Sequence, residues 1–146
     1  MDELPHVTVA TVVVQDGRFL LVREQADGAV VYNQPAGHVE CGESLLQAAV
    51  RETLEETAWR VRLTSLLGIY QFTSAANGIS YVRVCFVAEP VSHDPGATLD
   101  TGILAAEWLT ADEVAALTKN LRSPMVLRAI HDYQHGERYP LSVIQQ

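Results

Sequence analysis

The stretch Gly37-His38-Val39-Glu40-Cys41-Gly42-Glu43-Ser44-Leu45-Leu46-Gln47-Ala48-Ala49-Val50-Arg51-Glu52-Thr53-Leu54-Glu55-Glu56-Thr57-Ala58-Trp59 decides the reading of this chain. Ser44-Leu45-Leu46-Gln47 has the form of a capping box, which predicts a helix starting at Leu45, and helix formers continue to about Thr57. At about 100° per residue, Glu52, Glu55 and Glu56 fall on one face, with Leu46, Val50, Thr53 and Leu54 roughly opposite. Like charges at i,i+3 and i,i+4 each cost about 0.2–0.5 kcal/mol. Glu55 and Glu56 also sit in the last turn, where the helix dipole disfavours negative charge by about 0.3–1 kcal/mol. Such a face is either solvated surface, with Arg51 pairing Glu55, or a cradle for a hard divalent cation. Mg²⁺ suits it because that ion takes oxygen ligands and bridges substrate phosphates. Asp94, Asp100 and Glu107 are candidates for one further ligand. The preceding loop favours the cradle: Gly37 offers a carbonyl free of side-chain obstruction. Glu43 stands at the helix entrance, as part of the site or as a favourable N-terminal acid.

Outward from this segment the pattern alternates between β runs and short helices. His6 to Gln15 reads as a strand, Asp16-Gly17 as a two-residue turn, and Arg18 to Glu24 as the return strand. Asp27-Gly28 marks a second turn before the short run Ala29 to Gln34, after which Pro35 and Gly37 are expected to break regular structure. Val61 to Thr73 and Ile79 to Glu89 are β-like around the hairpin signal Asn77-Gly78, and Pro90 to Leu99 reads as a loop. Thr110-Ala111-Asp112-Glu113 is a second capping box. Ser123-Pro124 has the form of N-cap plus N1 for a last helix ending near Gly136. The prediction is α+β, a mixed sheet with helices on its faces, as one domain over residues 1–146.

Composition bounds the function. Apolar residues make up 48% and charged residues 19% of the 146, an ordinary globular balance with no apolar run of the ~20 residues a membrane span needs. The start, with Asp2 and Glu3, lacks the pattern of a signal peptide. Cys41 and Cys85 give neither a disulfide framework nor a CxxC spacing, so a reducing cytoplasm and inert packing thiols are expected. A net charge of −8 argues against broad binding to a nucleic-acid polymer and is compatible with a small phosphorylated substrate if a cation inverts the local field. The cations are nine Arg and Lys119; Arg83, in Tyr81-Val82-Arg83-Val84, and Arg122, in Leu121-Arg122-Ser123-Pro124, are the candidate phosphate contacts. An exposed strand or loop Arg is the ordinary alternative for both. Tyr32 or Phe72 offers a flat ring for stacking, and His38 either reaches substrate or holds its loop.

The quoted stretch resembles the Nudix box: Gly, five residues, Glu, seven residues, Arg-Glu-x-x-Glu-Glu, then a small and an apolar residue. Gly37, Glu43, Arg51, Glu52, Glu55 and Glu56 match it, while Thr53, Ala58 and Trp59 depart from it. Thr53 and Trp59 read as packing variation. Ala58 stands where Gly is usual, and a Cβ in a left-handed cap costs about 1 kcal/mol, so the helix is expected to run on or to end differently. Further segments (His6-Val7-Thr8-Val9-Ala10, Asn33-Gln34-Pro35-Ala36-Gly37-His38, Asn120-Leu121-Arg122-Ser123-Pro124, Arg138-Tyr139-Pro140-Leu141) resemble one phosphatase subfamily of that family across nearly the whole chain. The resemblance implies an α/β/α sandwich and a Mg²⁺-dependent hydrolase, with Mn²⁺ as a substitute ion. It implies phosphate release from nucleoside tri- and diphosphates and thiamine-type diphosphates. On it the metal is expected at Glu52 and Glu56 as principal ligands, with Glu55 as a third and the Gly37 carbonyl completing the set, one of these glutamates also taking the water's proton, and Arg51 orienting a carboxylate, Glu43 or Glu52. A pyrophosphohydrolase of another Nudix type and a non-catalytic nucleotide sensor are the competing readings. The oligomeric state is not legible.

Overall fold

The computed structural model describes residues 4–146; the acidic residues Asp2 and Glu3 lie outside the described residues. Seven strands form a mixed sheet: β1 (His6–Gln15), β2 (Arg18–Ala26), β3 (Ala29–Asn33), β4 (Ala36–His38), β5 (Trp59–Thr73), β6 (Ser80–His93) and β7 (Ile103–Thr110). Three helices join them: α1 (Leu45–Thr57), α2 (Ala111–Ala116) and α3 (Met125–Gln134). The strand order is β3-β2-β1-β6-β5, with β4 added beside β1 and β7 beside β2. β1 and β6 run parallel over His6↔Tyr81 to Val13↔Ala88, and the other pairings are antiparallel. Asp16 and Gly17, at φ 53° and 73°, supply the two left-handed residues that a tight hairpin demands.

Alternation along β1 and β6 divides the core. Val9, Val84 and Phe86 face α1, where they meet Ala48 and Ala49. Their neighbours Ala10, Cys85 and Val87 point the other way, with Val12, Leu21 and Leu67, onto Val126, Ala129 and Ile130 of α3. This is the expected sandwich, α1 on one face of the sheet and α3 on the other.

Three boundaries differ from the sequence reading. The break expected at Pro35 is confined to Gln34-Pro35, and Gly37 does not extend it, because Ala36–His38 pair with Thr8–Ala10 while the Pro35 carbonyl accepts from the Thr11 N–H at 3.1 Å. The loop expected from Pro90 begins later. β6 continues to His93, and Pro90 is tolerated because it lies beyond the β1 ladder, at a register shift opposite Val61. β7 carries too weak an alternation to be read, and pairing with β2 over Arg18↔Thr110 to Glu24↔Ile103 makes it a strand. α3 begins at Met125 after Pro124 in helical conformation, with Ser123 Oγ accepting from the Met125 N–H at 3.2 Å.

Candidate active site

Helix α1 starts where its capping box predicts. Ser44 accepts from the Gln47 N–H at 3.0 Å, and the Gln47 side chain accepts from the Ser44 N–H at 3.0 Å. It ends on Ala58 in the left-handed region (φ 63°, ψ 15°), whose N–H donates to Leu54 O at 2.9 Å. The expectation that the missing Gly would lengthen or alter the end is therefore corrected: the cap geometry is kept and Ala58 bears the strain. The packing face of α1 is not the one expected opposite the glutamates. Its deepest residues are Ala48, Ala49, Thr53 and Thr57, with Leu46, Val50 and Leu54 only half-buried. Thr53 is more than packing variation. Its hydroxyl is fully buried, donates to Ala49 O at 2.8 Å, and lies 2.8 Å from the Thr11 hydroxyl of β1. With the Thr11 N–H bonded to Pro35 O, this contact sets the rotation of α1 against β1, the strand with which β4 pairs.

That rotation turns the acids toward β4. Arg51 gathers them: Nε and Nη2 donate to the two Glu43 oxygens at 2.6 and 3.0 Å, Nη1 to Glu52 at 2.7 Å and Glu55 at 3.1 Å, and Nη2 to His38 O at 3.1 Å. The bidentate bond to Arg51 holds the Glu43 carboxyl below the usual carboxylate range. Burial, opposed by Arg51, raises the Glu52 carboxyl. Glu52 lies directly over Gly37, and a Cβ built on Gly37 would fall inside the Glu52 carboxylate. Any side chain at position 37 would push that carboxylate aside. Glu56 is the more secluded acid. Its Oε1 accepts from the Ala36 N–H at 2.9 Å, and desolvation pushes its pKa up to about 8.

One carboxylate oxygen each from Glu52, Glu55 and Asp100 lies within 4.8 Å of the others, a donor set that fits a hard divalent cation. Asp100 arrives from the loop before β7, fixed by its N–H to Glu55 O at 3.0 Å. Of the three later acids named from sequence, Asp94 caps Gly96 N–H and Glu107 pairs with Arg23, so neither joins the cluster.

Beside this acidic wall opens a cavity of about 420 Å³, on the α3 side of the sheet. Pairing places Thr8 between His38 and Arg83, and Tyr81 opposite Phe72, so these side chains share one face. Arg83 is 5% exposed, which corrects the ordinary expectation of an exposed strand Arg. Its Nη2 donates to Asn33 Oδ1 and Gln34 Oε1, both at 3.2 Å, and burial lowers the guanidinium pKa. Arg122 also lines the cavity, held by Glu24 at 2.8 Å. His38 lines the rim with its Nε2 3.0 Å from His6 Nδ1; burial and then His6 lower its pKa. Phe72 and Tyr81 stack at 5.4 Å, and Asn77 donates to the Tyr81 hydroxyl at 3.0 Å.

Tyr32 is not at the cavity. It packs against the α3-side core while its carbonyl accepts from the Arg122 N–H at 2.8 Å, so the flat ring on offer is Phe72. Sequence reasoning also missed Glu24, Asn33, Gln34 and Tyr81. Their signal is register across strands, which no local motif carries. Cys85 is buried, with its thiol pushed up to about 11, whereas Cys41 is exposed and is no packing thiol.

The acid-bearing helix, the Gly37 contact and the mixed sheet agree with the known proteins this chain matches. Residues 4–129 match the NUDIX domain, and the chain belongs to that family of hydrolases, enzymes acting on pyrophosphate bonds. Over 140 residues it is 40% identical to "Phosphatase NudJ" of Escherichia coli K12, covering 96% of this chain and 90% of that protein. A solved NUDIX hydrolase from Nitrosomonas europaea is 48% identical, with a TM-score of 0.96 over 98% of this chain and 97% of that one. A MutT NUDIX hydrolase from Burkholderia pseudomallei is 28% identical, with a TM-score of 0.73 over 89% of this chain and 98% of that one. No helix among the described residues is long and apolar enough to cross a membrane.

Proposed function

We propose that this hydrolase is a Mg²⁺-dependent phosphatase that releases inorganic phosphate from nucleoside tri- and diphosphates and from thiamine-type diphosphates. The observation that carries the reading is the convergence of the Glu52, Glu55 and Asp100 oxygens within 4.8 Å, beside a cavity that Glu52 and Glu56 line together with Arg83 and Arg122. The 40% identity to a protein named a phosphatase supports phosphate as the product.

In this reading Glu52 and Glu56 are the principal metal ligands, with Glu55, the Gly37 carbonyl and Asp100 completing the set. Mg²⁺, or Mn²⁺ in its place, supplies charge neutralisation on phosphate oxygens and a lowered pKa of bound water. Arg51 and Glu43 hold the carboxylates in register and need not touch substrate. Arg83 and Arg122 bind phosphate oxygens, and His38 borders the phosphate path. The Phe72 ring, backed by Tyr81, gives a flat group an apolar surface. The protein's own work is placement of the anhydride and of the water in line with it, with Glu52 or Glu56 taking the proton. For a nucleoside diphosphate the balance is NDP plus water giving NMP, phosphate and a proton.

Product analysis tests this directly. With ATP, GTP and thiamine diphosphate, phosphate is expected to appear, EDTA to abolish turnover, and Mg²⁺ to restore it. Pyrophosphate as the only phosphate product from ATP would instead make the enzyme a pyrophosphohydrolase, and binding without turnover would make it a sensor.

A further inference from the structure

Arg83 is a cation in an unusual setting. It is 95% buried in the middle of the sheet, and among the described residues its hydrogen-bond partners are two neutral amide oxygens, those of Asn33 and Gln34. Both engage the same nitrogen, Nη2. The three N–H bonds on Nε and Nη1 have no protein acceptor, yet neither nitrogen is sealed from the cavity. Burying a guanidinium without a carboxylate is costly unless an anion completes it. Gln34 is built for this setting. It is 1% exposed, and its Nε2 donates to Val126 O on α3 at 2.8 Å, which fixes the amide so that its oxygen faces Arg83. Val126, which anchors Gln34, and Cys85, two residues along β6 from Arg83, are themselves buried, at 0% and 1% exposed.

We infer that Arg83, positioned by Gln34, is a receptor for the terminal phosphate of the substrate, so that the site selects free-ended phosphoanhydrides over those capped at both ends. The inference rests on the phosphatase reading and adds to it the determinant of substrate class. A substituent on the bound phosphate would have to fit beside a guanidinium that is only 5% exposed. A terminal phosphate also brings the second negative charge and the unsubstituted oxygens that three free N–H donors can engage. A dinucleotide or nucleotide sugar has an ester where that end must fit.

The experiment compares ADP with its β-methyl ester on the Mg²⁺-loaded full chain, following AMP formation together with phosphate or methyl phosphate. Wild type is expected to prefer ADP by about 10–100-fold in kcat/KM, the range for charge-assisted hydrogen bonds. Arg83→Met is expected to bring that ratio close to one, chiefly through KM for ADP. Gln34→Leu is expected to lower the ratio partway, because the guanidinium loses its brace but not its charge. A ratio within one variant is unaffected by the fraction of enzyme that is folded, so a merely structural loss would leave it unchanged. Equal use of the two substrates by wild type, or an intact preference in Arg83→Met, overturns the inference while AMP and phosphate still form from ADP. Failure of wild type to form phosphate from ADP overturns the phosphatase reading instead.

Discussion

The two walls of the cavity are built differently. The acidic wall comes from one continuous stretch, Gly37 to Glu56, joined by Asp100, and a single guanidinium, Arg51, reaches Glu43, Glu52 and Glu55. The opposite wall draws on β1, β3, β5 and β6 and on the segments around Gln34 and Arg122, and among the described residues its buried guanidinium is hydrogen-bonded to neutral amides alone. The first is an excess of negative charge awaiting a cation; the second is a desolvated positive charge facing open space. In the proposed reading a phosphoanhydride with its metal ion would satisfy both, and the contrast would separate what performs the chemistry from what chooses the substrate.

The largest expected effect breaks the acidic wall. Glu56→Gln should lower kcat by at least ~100-fold, the order of several kcal/mol that a catalytic metal provides. It should do so alike for free-ended and capped substrates, leaving their ratio intact, in contrast to Arg83→Met. Near-normal turnover in Glu56→Gln would remove the metal assignment and erase the difference between the walls.

A smaller effect concerns stability without metal. The Glu56 pKa is raised by burial to about 8 from an unfolded value of 4.5, so the folded state binds the proton more tightly. Its contribution is present in full below about pH 4.5 and is lost as pH rises through 8. In EDTA, the melting temperature should therefore fall by roughly several degrees across that window. Glu56→Gln should flatten that fall, and Mg²⁺ should offset it in wild type. A slope identical in wild type and Glu56→Gln would show that the acidic wall stores no such penalty.

The smallest effect lies at the end of α1. Ala58→Gly relieves a left-handed Cβ and should stabilise by roughly 0.5–1 kcal/mol, since the gain in the fold outweighs the added freedom of the unfolded chain. Denaturant unfolding measures it, with turnover expected unchanged. A loss of stability would mean that the buried Ala58 methyl matters more to packing than its φ of 63° costs.

Sequence alone determined the features that depend on residues near one another in the chain. The span of α1, the spacing of Glu52, Glu55 and Glu56 and the Asp16-Gly17 hairpin all follow from local geometry. Helical period and turn chemistry are written in neighbouring residues, and the Nudix box gathers most of one wall into twenty consecutive positions. Only the tertiary structure decided the rest. Asp100 is selected over Asp94 and Glu107 by its backbone bond to Glu55. Phe72 is placed at the cavity, and Tyr32 in the core, by strand register. Arg83 passes from an ordinary strand cation to a buried one held by Asn33 and by Gln34, which is itself anchored to α3. Each of these is a choice among chemically similar residues far apart in the chain. It rests on which strands pair and which face is covered, and burial and register exist only once those distant segments have met.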